Sequence, residues 1–208
     1  SDVRVRAVGG DERRHERRLR PDRDERGVGV GPGGPVEQID VRRRGADVVV
    51  VVPPRLQRAD RSAITAKAID AVWPAIVFCR TRHGSDRVAK QLGKAGIEAV
   101  AIHGGRSQNQ RNRALDMFAS GRVHALVATD VAARGIHVDN IAHVVNYDLP
   151  QVPEDFIHRV GRTGRAGRRG TASTFGTRQE RDGIRKIERV LKVRLTRREV
   201  ADHIVSER

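Results

Sequence analysis

The sequence predicts an α/β protein built on a mostly parallel sheet. Two observations carry that expectation. Short apolar runs of strand length alternate with amphipathic stretches of helix length, the pattern of repeated βαβ units. Polar and glycine-rich signatures then follow several runs directly. In parallel sheets, ligands bind beyond the carboxyl ends of the strands.

The elements can be taken in order. Ala63 to Val72 has helical spacing. The apolar runs are Ala75–Cys79, Ala99–Ile102, Ala125–Ala128, Ala142–Asn146 and Thr171–Phe175. Between the first three lie Asp86–Ala95 and Ser107–Phe118, both helical in period. Right-handed crossovers between such strands would place helices on both faces of the sheet. Upstream the composition breaks. Residues 1–58 hold 14 Arg, 10 acids, no Lys and no aromatic side chain. Such a stretch buries too little apolar surface to offset its ordering entropy. It is expected to be poorly ordered, apart from a strand near Val48–Val52 docking on the lobe. Its removal up to residue 57 should then leave the stability of the remainder nearly unchanged. Its composition fits either a basic arm or a GC-rich gene read out of frame. The organisation expected is an N-terminal segment over 1–58, one α/β lobe over 59–178 and a basic helical extension over 179–208.

Charge and cysteine content narrow the function classes. The net charge is +15 over 208 residues, which points to a polyanionic partner, nucleic acid first. Cys79 is the only cysteine, so a disulfide within the chain and a clustered thiolate metal site are excluded. No metal site is expected. No apolar run approaches the ~18 residues a membrane span needs, and no secretory signal pattern stands at the start. No membrane partner is expected, and a cytoplasmic setting is.

Four stretches carry chemistry. The strongest is His158-Arg159-Val160-Gly161-Arg162-Thr163-Gly164-Arg165-Ala166-Gly167. Glycine inside a helix costs about 1 kcal/mol relative to alanine, so the glycines serve close approach rather than helix stability. Arginine supplies a planar donor fork for phosphate oxygens. The second is Ala128-Thr129-Asp130-Val131-Ala132-Ala133-Arg134-Gly135, directly after a buried-type strand. Thr129 can offer a hydroxyl and Gly135 open amides to a phosphate. Alone, it could equally be a strand-to-helix turn capped by Thr129 or Asp130. The third runs from Ile102 through His103-Gly104-Gly105-Arg106-Ser107-Gln108 to Arg111. Ser107 has the place of an N-cap, with Gln108 and Arg111 one turn apart on one face, and the positive helix end favours an anion. An ordinary capped surface helix fits these residues equally well. The fourth is Ile76-Val77-Phe78-Cys79-Arg80-Thr81. With no base partner implied nearby, Cys79 fits a buried core thiol better than a nucleophile.

Taken together and in this order, the four stretches resemble motifs IV, IVa, V and VI of the C-terminal lobe of DEAD-box RNA helicases, over about residues 60–178. The resemblance implies a RecA-like three-layer fold. It implies ATP as the nucleotide, with Mg²⁺ held by a first RecA-like lobe, and RNA held through backbone contacts that ignore sequence. Arg162 and Arg165 resemble the arginine fingers that reach the γ-phosphate of ATP. Thr81, Gln108, Arg111 and Thr129 match positions that hold RNA backbone, and His158 and Arg159 match residues coupling RNA and the two lobes. Arg134 and Gly135 sit where the family couples RNA to nucleotide. The opening His-Arg of the last motif is the DEAD-box form and favours RNA over DNA.

Two departures stand out. The family usually carries an acid two positions after the glycine of motif V, against the ATP ribose. Here that position is His137, with Asp139 as a substitute candidate. The family also often has an acid where Gly105 stands. The sequence contains no G-x-x-x-x-G-K-[ST] loop and no D-E-A-D run, both of which the family carries on its first lobe. The chain alone is therefore expected not to hydrolyse ATP. Two other functions remain open: a stand-alone, non-enzymatic RNA-binding module and the lobe of a DNA helicase. The coding sequence upstream of Ser1 would discriminate the first. ATPase stimulation by RNA against DNA, with a first lobe supplied, would discriminate the second.

Overall fold

The runs Ala75–Phe78 and Ala125–Ala128 are buried at every position. A strand covered on both faces has no solvent side to alternate with, so it reads as a continuous apolar run. In the computed structural model, residues 46–51, 58–136, 138, 140–165, 169–177 and 179–198 are described. In chain order they form β1 (Ala46–Val51), α1 (Arg58–Ala71), β2 (Ala75–Phe78), α2 (Arg82–Lys94), β3 (Ala99–Ile102), α3 (Gln108–Ala119) and β4 (Ala125–Ala128). Then come α4 (Asp130–Ala133), β5 (His143–Asn146), α5 (Pro153–Val160), β6 (Gly170–Phe175), α6 (Arg181–Leu191) and β7 (Thr196–Arg198).

The sheet has seven strands among the described residues, in the order β3-β4-β2-β5-β6-β1-β7. Every neighbouring pair is parallel, with Ile76 opposite both Leu126 and Val144. Side chains alternate between two cores. On one face Ile76, Phe78, Leu126 and Val144 pack with Phe118 of α3, Phe156 of α5 and Ile184 and Ile187 of α6. On the other, Val77, Val127, Val145 and Phe175 pack with Ile64 and Ile69 of α1 and Val88 and Leu92 of α2. Each such side chain, fully buried, contributes about 1.5–3 kcal/mol. The result is the helix–sheet–helix layering expected, with all parallel pairing.

Both ends of the chain enter this sheet. β1 lies inside the segment set apart as 1–58, and it is flanked by β6 and β7 rather than sitting at an edge. The expected strand near Val48–Val52 is thus present, one or two residues earlier. The rest of that segment, 1–45 and 52–57, lies outside the described residues. The C-terminal stretch supplies α6, which buries Ile184 and Ile187, and β7. It is a layer of the fold as well as an extension.

Because all strands run one way, their carboxyl ends share one edge. The loops after β2, β3, β4 and β5 therefore bring Arg80–Thr81, His103–Ser107, Thr129–Asp130 and Tyr147–Asp148 to that edge.

Candidate nucleic-acid and phosphate interface

Arg159 organises the edge. It sits in the last turn of α5 and is 2% exposed. Its Nε and Nη2 donate to the two Asp130 carboxylate oxygens at 2.6 and 2.7 Å, a bidentate pair. Its Nη1 donates to Asn146 Oδ1 at 3.2 Å and to the Asp148 carbonyl at 2.7 Å. The guanidinium also lies over the Phe78 ring, 5.1 Å from its centroid. One side chain thus ties the ends of β2, β4 and β5 to α5. The resemblance places it among residues coupling RNA and the two lobes; here its Nε, Nη1 and Nη2 all donate inside the fold.

Two more links join the turn after β4 to α5 and the turn that follows it. Arg162 Nη1 donates to the Ile136 carbonyl at 2.9 Å. Exposed Arg134 stands 3.5 Å from Asp155. Gly135 in that turn has φ +77°, a conformation a side chain would strain. Thr129 caps α4 by position, without a side-chain cap bond, so its hydroxyl is not committed there. His137 and Asp139, the candidates for a ribose contact, lie outside the described residues.

Arg162 and Arg165 follow α5. Arg165 is exposed, and its Nε donates to the Gly161 carbonyl at 2.6 Å. Burial lowers the Arg162 pKa from its ordinary value, and the Arg165 charge lowers it further. Neither pairs with a carboxylate among the described residues. Thr163, between them, is buried and donates to the Ile141 carbonyl at 2.6 Å, which fixes the loop.

The other expected contacts line the β2 and β3 ends. Thr81 is exposed but its Oγ1 accepts from Gly84 N at 3.0 Å, capping α2. That cap explains why α2 starts at Arg82, earlier than its apolar period shows. Ser107 caps α3 through a full capping box with Gln110. Gln108 is exposed and donates to Asn112 Oδ1 at 2.8 Å. Arg111 is half-buried, its Nη2 3.5 Å from the Ala132 carbonyl, which places it beside α4. His158 lies in the last turn of α5, next to Arg159. The structure therefore brings Arg111 to the β4 loop, and Arg134, Gly135 and Arg162 to one turn. Thr81 and Gln108 stand on the loops after β2 and β3.

His103 is buried with its Nε2 3.1 Å from both Asp86 oxygens, while its Nδ1 accepts from Gly105 N at 3.2 Å. Arg106 donates to the same carboxylate at 2.7 Å. Burial pushes Asp86 up, but the His103 and Arg106 bonds outweigh it and hold the carboxyl below its ordinary value. Cys79 is free and buried, and burial pushes its thiol well up, which suits a core residue and not a nucleophile.

Sequence reasoning missed Arg61, which is 6% exposed. It donates to the Tyr147 carbonyl at 2.7 Å and to Glu180 at 3.1 Å, and so clamps the β5 loop from α1. No motif marked it, and it stands two residues before the helical period that begins at Ala63.

Residues 61–167 match the helicase conserved C-terminal domain family. DEAD-box ATP-dependent RNA helicase 21 of Oryza sativa is 51% identical over 89 residues, which is 43% of this chain and 12% of that protein. DEAD-box ATP-dependent RNA helicase CshA of Bacillus subtilis is 47% identical over 123 residues, 59% of this chain and 25% of that one. The chain thus spans a quarter or less of the length of these two relatives. Among solved structures, E. coli DEAD-box protein SrmB bound to regulator of ribonuclease activity A superposes with TM-score 0.71 at 32% identity. That match covers 76% of this chain and 93% of that one. S. cerevisiae Dbp5 bound to RNA and ADP BeF3 gives TM-score 0.67 at 29% identity, over 75% of this chain and 42% of that one.

Proposed function

Because the chain belongs to the helicase conserved C-terminal domain family as found in DEAD-box RNA helicases, we propose that it works as the second lobe of an ATP-dependent RNA helicase. It supplies Arg162 and Arg165 to the ATP phosphates and half of an RNA-binding cleft. The observation that carries this is the finger pair. Arg162 and Arg165 stand three residues apart directly after α5, with no carboxylate neutralising either among the described residues. A concentrated, uncompensated positive charge fits a polyphosphate.

ATP, with Mg²⁺ held by a first lobe, supplies the transferable phosphoryl group. This chain's residues do the rest from their side of the cleft. Arg162 and Arg165 stabilise charge on the phosphate oxygens when the lobes close, a role worth roughly 10³–10⁵ in rate in other NTPases. Arg111, Thr129 and exposed Thr81 and Gln108 grip the RNA backbone without reading bases, which makes binding indifferent to sequence. The Arg159–Asp130 clasp joins the two functions mechanically. The RNA-side turn and the finger helix are held by one buried guanidinium, so displacement of one is felt by the other.

The test joins the chain to the first lobe of a DEAD-box relative and measures RNA-stimulated ATP hydrolysis. Arg162→Ala and Arg165→Ala should each remove most turnover, while RNA affinity without nucleotide falls only modestly. Parental turnover in both variants refutes the assignment.

A further inference from the structure

Resting on the arginine-finger reading above, we propose that Gly170 is a positioning residue for Arg162 and Arg165, because a residue without a Cβ lets the loop that carries them seat against the start of β6. Gly170 is buried and opens β6, opposite Ala46 of β1. Its φ is not positive, so the position calls for room rather than for an unusual backbone. A Cβ there would overlap Thr163 Oγ1, and would stand 2.7 Å from Gly164 N and 3.0 Å from Thr163 Cβ.

The atoms it would meet are themselves anchored. Thr163 is 2% exposed and forms a one-residue parallel bridge with Ile141. Its Oγ1 donates to the Ile141 carbonyl at 2.6 Å and lies 3.2 Å from the Ala142 carbonyl. The Ala142 carbonyl also accepts from Thr171 N of β6 at 2.9 Å. One carbonyl, just before β5, thus meets both the finger loop and β6. Gly164 then turns with φ +66°, a conformation that glycine adopts freely. Arg162 stands immediately before this anchor and Arg165 two residues after it. Rotating the Thr163 hydroxyl away from a new methyl group would give up both carbonyls and still leave Gly164 N in its way. The backbone between the two arginines must move instead. A misplacement of about 1 Å in a group that acts on the transition state can cost roughly 10²-fold in rate.

The experiment measures steady-state, RNA-stimulated ATP hydrolysis by the chain joined to a DEAD-box first lobe, with thermal unfolding of each variant to establish that it folds. Gly170→Ala should lower kcat roughly 10²-fold. KM for ATP and RNA affinity without nucleotide should stay nearly unchanged, since the lost interaction belongs to the transition state. Thr163→Val removes the hydroxyl while keeping the shape, and should lower kcat in the same way. Thr163→Ser keeps the hydroxyl and should recover most of that loss. On the residual turnover of a protein carrying both Arg162→Ala and Arg165→Ala, Gly170→Ala should have no further effect, because losses from groups acting as one unit do not multiply. A further loss of similar size there marks a purely structural effect and overturns the proposal. So does parental kcat in a folded Gly170→Ala protein while the arginine variants lose theirs. Where Gly170→Ala does not fold, parental kcat in Thr163→Val overturns it instead. Parental kcat in the arginine variants themselves overturns the finger reading, and the positioning role with it.

Discussion

Arg159 shows how a residue's role can follow from burial rather than from motif. At 2% exposure it holds Asp130, Asn146 and the Asp148 carbonyl at once. Arg159→Ala leaves Asp130 without its partner. Loss of one member of a buried pair costs 3–5 kcal/mol, but Asp130 keeps 29% side-chain exposure and can rehydrate, so about 2 kcal/mol is expected here. Chemical denaturation should report that loss together with weaker hydrolysis in the two-lobe protein. Undiminished stability would mean the clasp is not structural. The sequence could not show this pair, since its members stand 29 residues apart and only the parallel order of strands brings them together. His143 is a second buried case. Its Nε2 meets Ser173 at 2.9 Å, and Nδ1 has no hydrogen-bond partner among the described residues. Burial pulls its pKa down from 6.5 to about 4. The fold thus favours the neutral ring. Its stabilisation is fully present above pH 6.5 and is lost as pH falls from 6.5 toward 4. Between pH 7 and pH 5 the loss is about 2 kcal/mol, roughly 4–8 °C in Tm. His143→Gln should flatten that part of the profile. An equally steep decline in the variant would remove His143 as its source.

At the scale of elements, most of the sheet was legible. β3 and β4 have the bounds their apolar runs predict; β4, buried at every position, shows itself as an unbroken apolar segment. Helix starts were less legible. Capping by Thr81 carries α2 back over Gly84, which no apolar period marks. β7 was not legible at all. Thr196-Arg197-Arg198 has no apolar pattern, and its place beside β1 comes from the sheet edge it completes. β1 changes one expectation. A strand paired on both sides cannot be removed without exposing the ladders of β6 and β7. A chain starting after Val51 should therefore unfold on the order of 10 °C below one starting at Arg44. Equal thermal unfolding of the two would restore the view that nothing before residue 58 supports the lobe.

The whole molecule carries a net +15. The charge was legible from composition, and the motifs from their order. Which members of the motifs face outward was not. Arg159 and Arg162 differ by one helical turn, yet the first is sealed in the fold and the second borders the edge. Only packing separates them. Under the proposed function, catalysis is a property of two lobes together. In that proposal this chain completes an ATPase only together with a first lobe. The most direct measurement is RNA-stimulated ATP hydrolysis by the purified chain, before and after joining to a DEAD-box first lobe. No turnover above background is expected for the chain alone, and clear RNA-dependent turnover once it is joined. Robust hydrolysis by the isolated chain, or none from a joined protein whose two lobes are folded, would contradict it.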